Sequence, residues 1–181
     1  MIIGLSGPYC AGTDTVGKIL VEKGFVWFSY SDILREEARK RGIELTRRNL
    51  QDLGDELRLK QGLGVLSKIL IEKMEDGKNY VVGNIRNPGE VEELRKCKDF
   101  ILVNVDAPKE LRFERMLQRG REKDAKTFSD FLRSEEKDFG IGQGKHGQQH
   151  AAVFEMADTK IINDGTVEEL REKVEEILKI D

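Results

Sequence analysis

The chain predicts an α/β fold of three layers, in which a five-stranded, mostly parallel sheet is covered by helices on both faces and carries a small lid. Three observations support this. Short apolar runs of strand length alternate with amphipathic stretches of helix length along the 181 residues, the pattern of parallel strands joined by right-handed crossover helices. A glycine-rich turn separates the first strand from the first helix. Polar clusters follow the first three strands at 7–15, 29–35 and 84–87, and in an open parallel sheet these C-terminal strand ends are where ligands gather.

Residues 2–17 read as a buried strand, a glycine loop and a helix start. Val16, Ile19 and Leu20 mark the first helix, which Gly24 stops. Phe25 to Phe28 is the second strand, with Trp27 and Phe28 filling the core beneath it. Ser31-Asp32 caps a helix to about Arg41, with Ile33, Leu34 and Ala38 on one face. Thr46 caps a further helix carrying Leu50, Leu53 and Leu57, and Gly62-Leu63-Gly64 separates it from one over Val65 to Met74. Asn79 to Gly83 is the third strand, and Asn87-Pro88-Gly89 opens the next helix.

Phe100 to Val105 is the fourth strand. Ala107-Pro108 opens a helix to about Arg119 and Thr127 caps another, while Asp106 is placed either to bind a base or, the preferred reading, to cap the Pro108 helix. Four glycines between Gly140 and Gly147 indicate a mobile loop. Ala157 to Asn163 is the last strand, and Val167 to Ile180 a closing amphipathic helix.

Length suits one domain, here 1–181, with a core of real size. No apolar run approaches a membrane span or a signal peptide, so a soluble, cytoplasmic protein without a membrane partner is expected. A formal charge of −3 argues against a general nucleic-acid binder, while 31 Lys and Arg suffice for a local anion site. Cys10 and Cys97 lack metal-ligand spacing and suit a reducing compartment. His146 and His150 are four apart and able to share a helix face, yet no partner cysteine or glutamate completes a metal site. The sequence leaves the oligomeric state open.

The chemistry concentrates in the first loop. Gly7-x4-Gly12 matches the spacing of the phosphate-binding pattern G-x-x-x-x-G-K-[ST], with Thr13 and Asp14 as the next two residues. Such a loop turns backbone N–H groups toward one point at a helix N-terminus, where the helix dipole also favours an anion. Arginines at the other strand ends would add planar, bidentate donors for the same phosphates.

With these clusters in place, the chain resembles the P-loop nucleoside monophosphate kinases, of the adenylate kinase and dephospho-coenzyme-A-kinase type, along nearly its whole length. Ser31-Asp32-Ile33-Leu34-Arg35 is similar to the family's acceptor-binding segment. Ile85 to Val91 is similar to the stretch after the third strand in archaeal adenylate-kinase-related proteins and in the kinase-like domain fused to some deoxycytidylate deaminases. Arg115, Arg119-Gly120-Arg121 and Asp124, followed by Arg133, resemble a lid.

The resemblance implies a P-loop NTPase fold, an acceptor-binding helical region at about 30–64 and a lid at about 115–147. It implies ATP and Mg2+ as cofactors and small-molecule nucleotides as partners, with transfer of a phosphoryl group to a nucleoside or deoxynucleoside monophosphate, or to a similar nucleotide such as dephospho-CoA. Gly7, Ala11, Gly12, Thr13, Asp14 and Thr15 would hold the donor phosphates, Asp14 and Thr15 also the metal. Asp32, Arg35 and Arg86 would bind the acceptor, and Arg86, Arg119 and Arg121 would act in transfer. Arg112 and Arg115 alternate with glutamates and read mainly as a solvated helix face.

Two departures stand out. Thr13 occupies the position of the family's phosphate-bridging lysine, and Gly83 that of an aspartate that orients Mg2+. Each removes an electrostatic contribution worth roughly 10²–10³-fold in rate. Lys18 lies too far along the helix to compensate, whereas Lys145 or a lid arginine has the reach. An alternative reading is therefore a pseudokinase that binds nucleotide for a regulatory or partner-binding role.

Overall fold

The computed structural model describes residues 1–120, 125–142 and 144–179. Five parallel strands form one sheet in the order β2-β3-β1-β4-β5: β1 Ile2–Ser6, β2 Val26–Ser29, β3 Tyr80–Gly83, β4 Phe100–Asp106 and β5 Thr159–Ile162. β1 lies centrally, with Ile2 opposite both Tyr80 and Phe100. The chain first builds out to one side of β1 and then crosses to the other, so the crevice at the C-terminal end of β1 is a topological switch point.

The pleat sends alternate residues of β1 to opposite faces. Ile3 and Leu5 join Val81, Val103 and Val105 in a core against α1 Thr13–Glu22 and α9 Val167–Ile177, through Val16, Ile19, Leu20, Leu170 and Val174. Ile2, Val82 and Leu102 face the other way. They meet α2 Tyr30–Lys40, α3 Arg47–Gln61, α4 Val65–Ile71, α5 Pro88–Leu94 and α8 His150–Glu155. Both faces are thus covered, as the near-continuous apolar strands require.

α6 Lys109–Arg119 and α7 Phe128–Asp138 pack on each other through Phe113, Phe128 and Phe131. Among the described residues no helix is long and apolar enough to cross a membrane.

Local signals explain most element boundaries. Thr46 and Thr127 accept hydrogen bonds from Asn49 N and Asp130 N, as expected of N-caps. Asn87 and Glu90 form a reciprocal capping box at α5, and Thr166 with Glu169 does the same at α9.

Several expectations are corrected. The cap of α2 is Ser29, whose Oγ accepts from Ser31 N at 3.2 Å, so the helix begins before Ser31-Asp32. Asp106 accepts from Ala107 N at 2.8 Å and pairs with Lys160, while α6 starts beyond Pro108 without a side-chain cap. The last strand loses both ends, because Asp158 turns its carboxylate onto Leu102 N and Asn163 turns into the site. α8 was not expected at all. It also separates the two histidines: His150 opens the helix and His146 lies in the loop before it.

Candidate functional site

β1 ends at Ser6, and the next six residues curl tightly enough to need left-handed backbone at Cys10 (φ 62°) and Gly12 (φ 105°). Glycine is required at both ends of the curl by close approach. A Cβ on Gly7 would lie 2.3 Å from the Val105 carbonyl of β4, and one on Gly12 would lie 2.1 Å from Asn163 Nδ2. Asn163 is the clasp: its Nδ2 donates to Ala11 O at 2.8 Å, and its own N–H donates to Asp106 O at 2.7 Å. α1 starts directly from Gly12 with no side-chain cap. Its first N–H groups are therefore not satisfied by a capping side chain, which is the arrangement that suits an anion.

A cleft of about 1020 Å³ opens above this loop. Gly7, Gly12, Thr13, Asp14 and Thr15 line it, as do Asp32, Arg35, Arg86, Arg115 and Arg119, so the structure brings together most of the residues singled out from sequence. Ala11 is fully buried beneath the loop and contributes its carbonyl to Asn163. Arg121 lies outside the described residues, as does Asp124. Among the described lining residues the cations are all arginines: Arg35, Arg58, Arg86, Arg115 and Arg119. Lys18 and Lys145 are exposed and do not line the cleft.

Trp27 packs against the core as expected and also reaches the cleft. Its indole stands between two glycines: a Cβ on Gly17 would lie 2.1 Å from Cζ3, and one on Gly83 would lie 2.2 Å from Cη2. The ring is half-buried, touches the core and lines the cleft. The corner at the end of β3 is thus filled by aromatic carbon.

The Arg86 side of the cleft is held by a buried network. Arg58 donates through Nε and Nη2 to Glu90 Oε1 at 3.1 and 2.7 Å, and Glu90 Oε2 accepts from the backbone N–H of Arg86 and Asn87. Asn87 Nδ2 reaches the carbonyls of Lys145 and Gly147, and Arg58 Nη1 that of His146. The far end of the glycine loop is therefore tied to α3 and α5. Arg86 is fixed at both backbone atoms, since its carbonyl accepts from Gln149 N at 2.7 Å.

Next to it, the imidazole of His150 is 5% exposed, and burial together with the Arg86 charge lowers its pKa to about 3. Asp55, also at the cleft, has its carboxyl pushed up by burial, against the pull of Arg58. Arg35 is paired with Asp32 at 2.8 Å, on a more exposed part of the wall. Leu34, Leu45 and Leu50 supply apolar lining beside that pair.

On the α6 side Arg112 is buried rather than solvated. It pairs with Glu135 of α7 and donates from Nε to Ala107 O, with Nη1 3.4 Å from Tyr9 O in the loop. Arg119 stacks over the Tyr9 ring at 4.6 Å and donates to its hydroxyl. Arg115 is directed at Asn163, with Nη1 buried and without a partner among the described residues. Helix periodicity places Arg112 and Arg119 seven residues apart on one face, which is the signal that would have separated them from the solvated positions. For Glu90 the signal was the Asn87-x-x-Glu90 capping box. Trp27, Asn163 and His150 had no comparable sequence signal.

Among the described residues no group of three or more His, Cys, Asp or Glu is arranged to hold a metal ion. Asp14 and Thr15 offer oxygens at the cleft, which fits a cation carried in with a nucleotide's phosphates rather than a protein-only cage.

The profile of the AAA domain family matches residues 3–140. A UPF0200 protein of Sulfurisphaera tokodaii is 36% identical over 182 residues, covering 98% of this chain and 96% of that protein. A UPF0200 protein of Pyrococcus horikoshii is 34% identical over 185 residues, with 98% and 96% covered. Among solved structures, shikimate kinase from Acinetobacter baumannii in complex with shikimate superposes with a TM-score of 0.59 at 20% identity, covering 99% of this chain and 95% of that one. TT1252 from Thermus thermophilus gives 0.61 at 23% identity, with 98% and 96% covered. The P-loop kinase-like fold expected from the sequence is the fold of these neighbours.

Proposed function

We propose, from the premise that this chain belongs to the UPF0200 family and carries an AAA domain with the P-loop kinase-like fold, that it transfers the terminal phosphoryl group of ATP to a small phosphorylated acceptor. The acceptor class is a nucleoside or deoxynucleoside monophosphate or a similar nucleotide such as dephospho-CoA. The observation that carries this reading is the cleft itself: an uncapped helix N-terminus behind a glycine loop, faced by arginines from four other parts of the chain.

Phosphoryl transfer asks mainly for positioning, neutralisation of spreading negative charge and exclusion of water. Gly7, Gly12, Thr13, Asp14 and Thr15 take the donor phosphates. Asp14 and Thr15 would supply the protein's oxygens to a Mg2+ ion, which would neutralise part of the phosphates' charge. Asp32, Arg35 and Arg86 take the acceptor. Arg115 and Arg119, on α6, supply the charge that a lysine at position 13 would have brought, and the 115–147 segment with Arg121 acts as the lid that shuts out water.

A second reading is favoured by the indole against Gly83 and the threonine at 13. Both remove groups of the catalytic machinery while leaving the loop's shape, so the chain would bind nucleotide without turning it over. A coupled assay for ADP formation across nucleoside monophosphates and dephospho-CoA separates the two. Acceptor-dependent turnover supports the kinase reading, and its absence for every acceptor, with ATP bound, supports the pseudokinase.

A further inference from the structure

Buried polar side chains in folded proteins almost always find a hydrogen-bond partner. His150 breaks that rule: it is 5% exposed, it lines the cleft, and neither Nδ1 nor Nε2 has a partner among the described residues. The ring is not placed there loosely. It opens α8, the N–H of the preceding residue, Gln149, donates to Arg86 O at 2.7 Å, and Phe154 packs edge-on against the ring at 5.9 Å between centroids. Two orphaned nitrogens on a fixed ring at a cleft wall have a natural complement in a bound molecule.

We propose that His150 is an acceptor-positioning residue whose neutral imidazole hydrogen-bonds a hydroxyl of the acceptor, while Arg86 beside it takes the acceptor's anionic group. The proposal rests on the kinase or nucleotide-binding reading above. A neutral imidazole offers one N–H and one lone pair, and a hydroxyl, which donates and accepts, can meet either nitrogen in either tautomer. An anion is the poorer complement, because the Arg86 charge and the burial both disfavour the imidazolium. The acceptor this selects carries a hydroxyl close to its phosphate, as a ribose or deoxyribose 5′-monophosphate does.

Imidazole nitrogen NMR tests this directly, because the chain has only two histidines and His146→Gln assigns the pair. The probes are the four common ribonucleoside 5′-monophosphates, the 2′,3′-dideoxy counterpart of the best binder, and inorganic phosphate. The expected result is that at least one hydroxyl-bearing monophosphate fixes the His150 ring in one tautomer, while the dideoxy compound and inorganic phosphate do not. Equal responses to those two controls would overturn the hydroxyl assignment.

An unmoved His150 across the panel, with Gly12 and Thr13 amides shifting on addition of ATP, would sink the proposal and leave the nucleotide reading standing. Silence at both places would remove the nucleotide reading and the proposal with it. As a second measure, His150→Leu should weaken binding of the responsive monophosphate about five- to tenfold, with His150→Gln restoring most of it. Equal losses in the two variants would mark a purely structural role.

Discussion

The indole of Trp27 occupies the space that a side chain at Gly83 would need, since a Cβ there would fall 2.2 Å from Cη2 of the ring. A side chain at the end of β3 and the tryptophan on β2 therefore exclude one another. Gly83→Asp alone should destabilise the fold by about 1–3 kcal/mol, the usual cost of overpacking. Gly83→Asp with Trp27→Val should recover most of that in urea denaturation. An equal loss in single and double variants would mean that the two positions are not coupled.

Thr13 turns its methyl group toward Gly7 at the start of α1, within the loop that the glycines shape. Thr13→Lys should raise ATP affinity by roughly tenfold or more, the scale of one charge-assisted hydrogen bond. Calorimetric titration reads this. Gly12→Val should abolish binding, because a side chain at φ 105° beside Asn163 Nδ2 cannot keep the curl.

The buried pair of Arg112 and Glu135 joins α6 to α7, and Arg112 also approaches the loop at Tyr9. Removing one partner leaves the other charge buried, so Glu135→Leu should cost about 3–5 kcal/mol in chemical denaturation. The double variant Arg112→Met, Glu135→Leu should be much closer to wild type.

Acid stability should carry the signature of His150. Its folded-state pKa is about 3 against an ordinary 6.5, so below pH 6.5 the unfolded chain takes up a proton that the folded chain refuses. Stability is fully present above pH 6.5 and falls with decreasing pH, by up to about 1.4 kcal/mol per unit, until the folded group titrates near 3. His150→Gln should remove that slope between pH 6 and 4. An unchanged profile would mean that the ring is not held neutral.

Much of the fold was legible because its signals are local. Caps at Thr46 and Thr127, the Pro88 helix start and apolar strands such as Phe100 to Val105 need only their neighbours to act. The first loop was legible for the same reason. What the sequence hid depends on partners distant in the chain: Asn163 clasping Ala11, Trp27 between Gly17 and Gly83, Arg58 on Glu90. α8 was hidden because its six residues are too few for a periodic pattern and begin with a histidine that neither caps nor breaks a helix. Arg112 looked solvated because glutamates flank it in sequence, whereas its partner, Glu135, lies on the next helix.

Whether the loop at Gly7 to Thr15 holds a nucleotide's phosphates is tested most directly by calorimetric titration of the full chain with ATP, with and without Mg2+, beside the Gly12→Val variant. Saturable binding by the wild-type chain, lost in the variant, is the predicted result. No heat of binding at millimolar ATP, or equal binding by wild type and Gly12→Val, would contradict it.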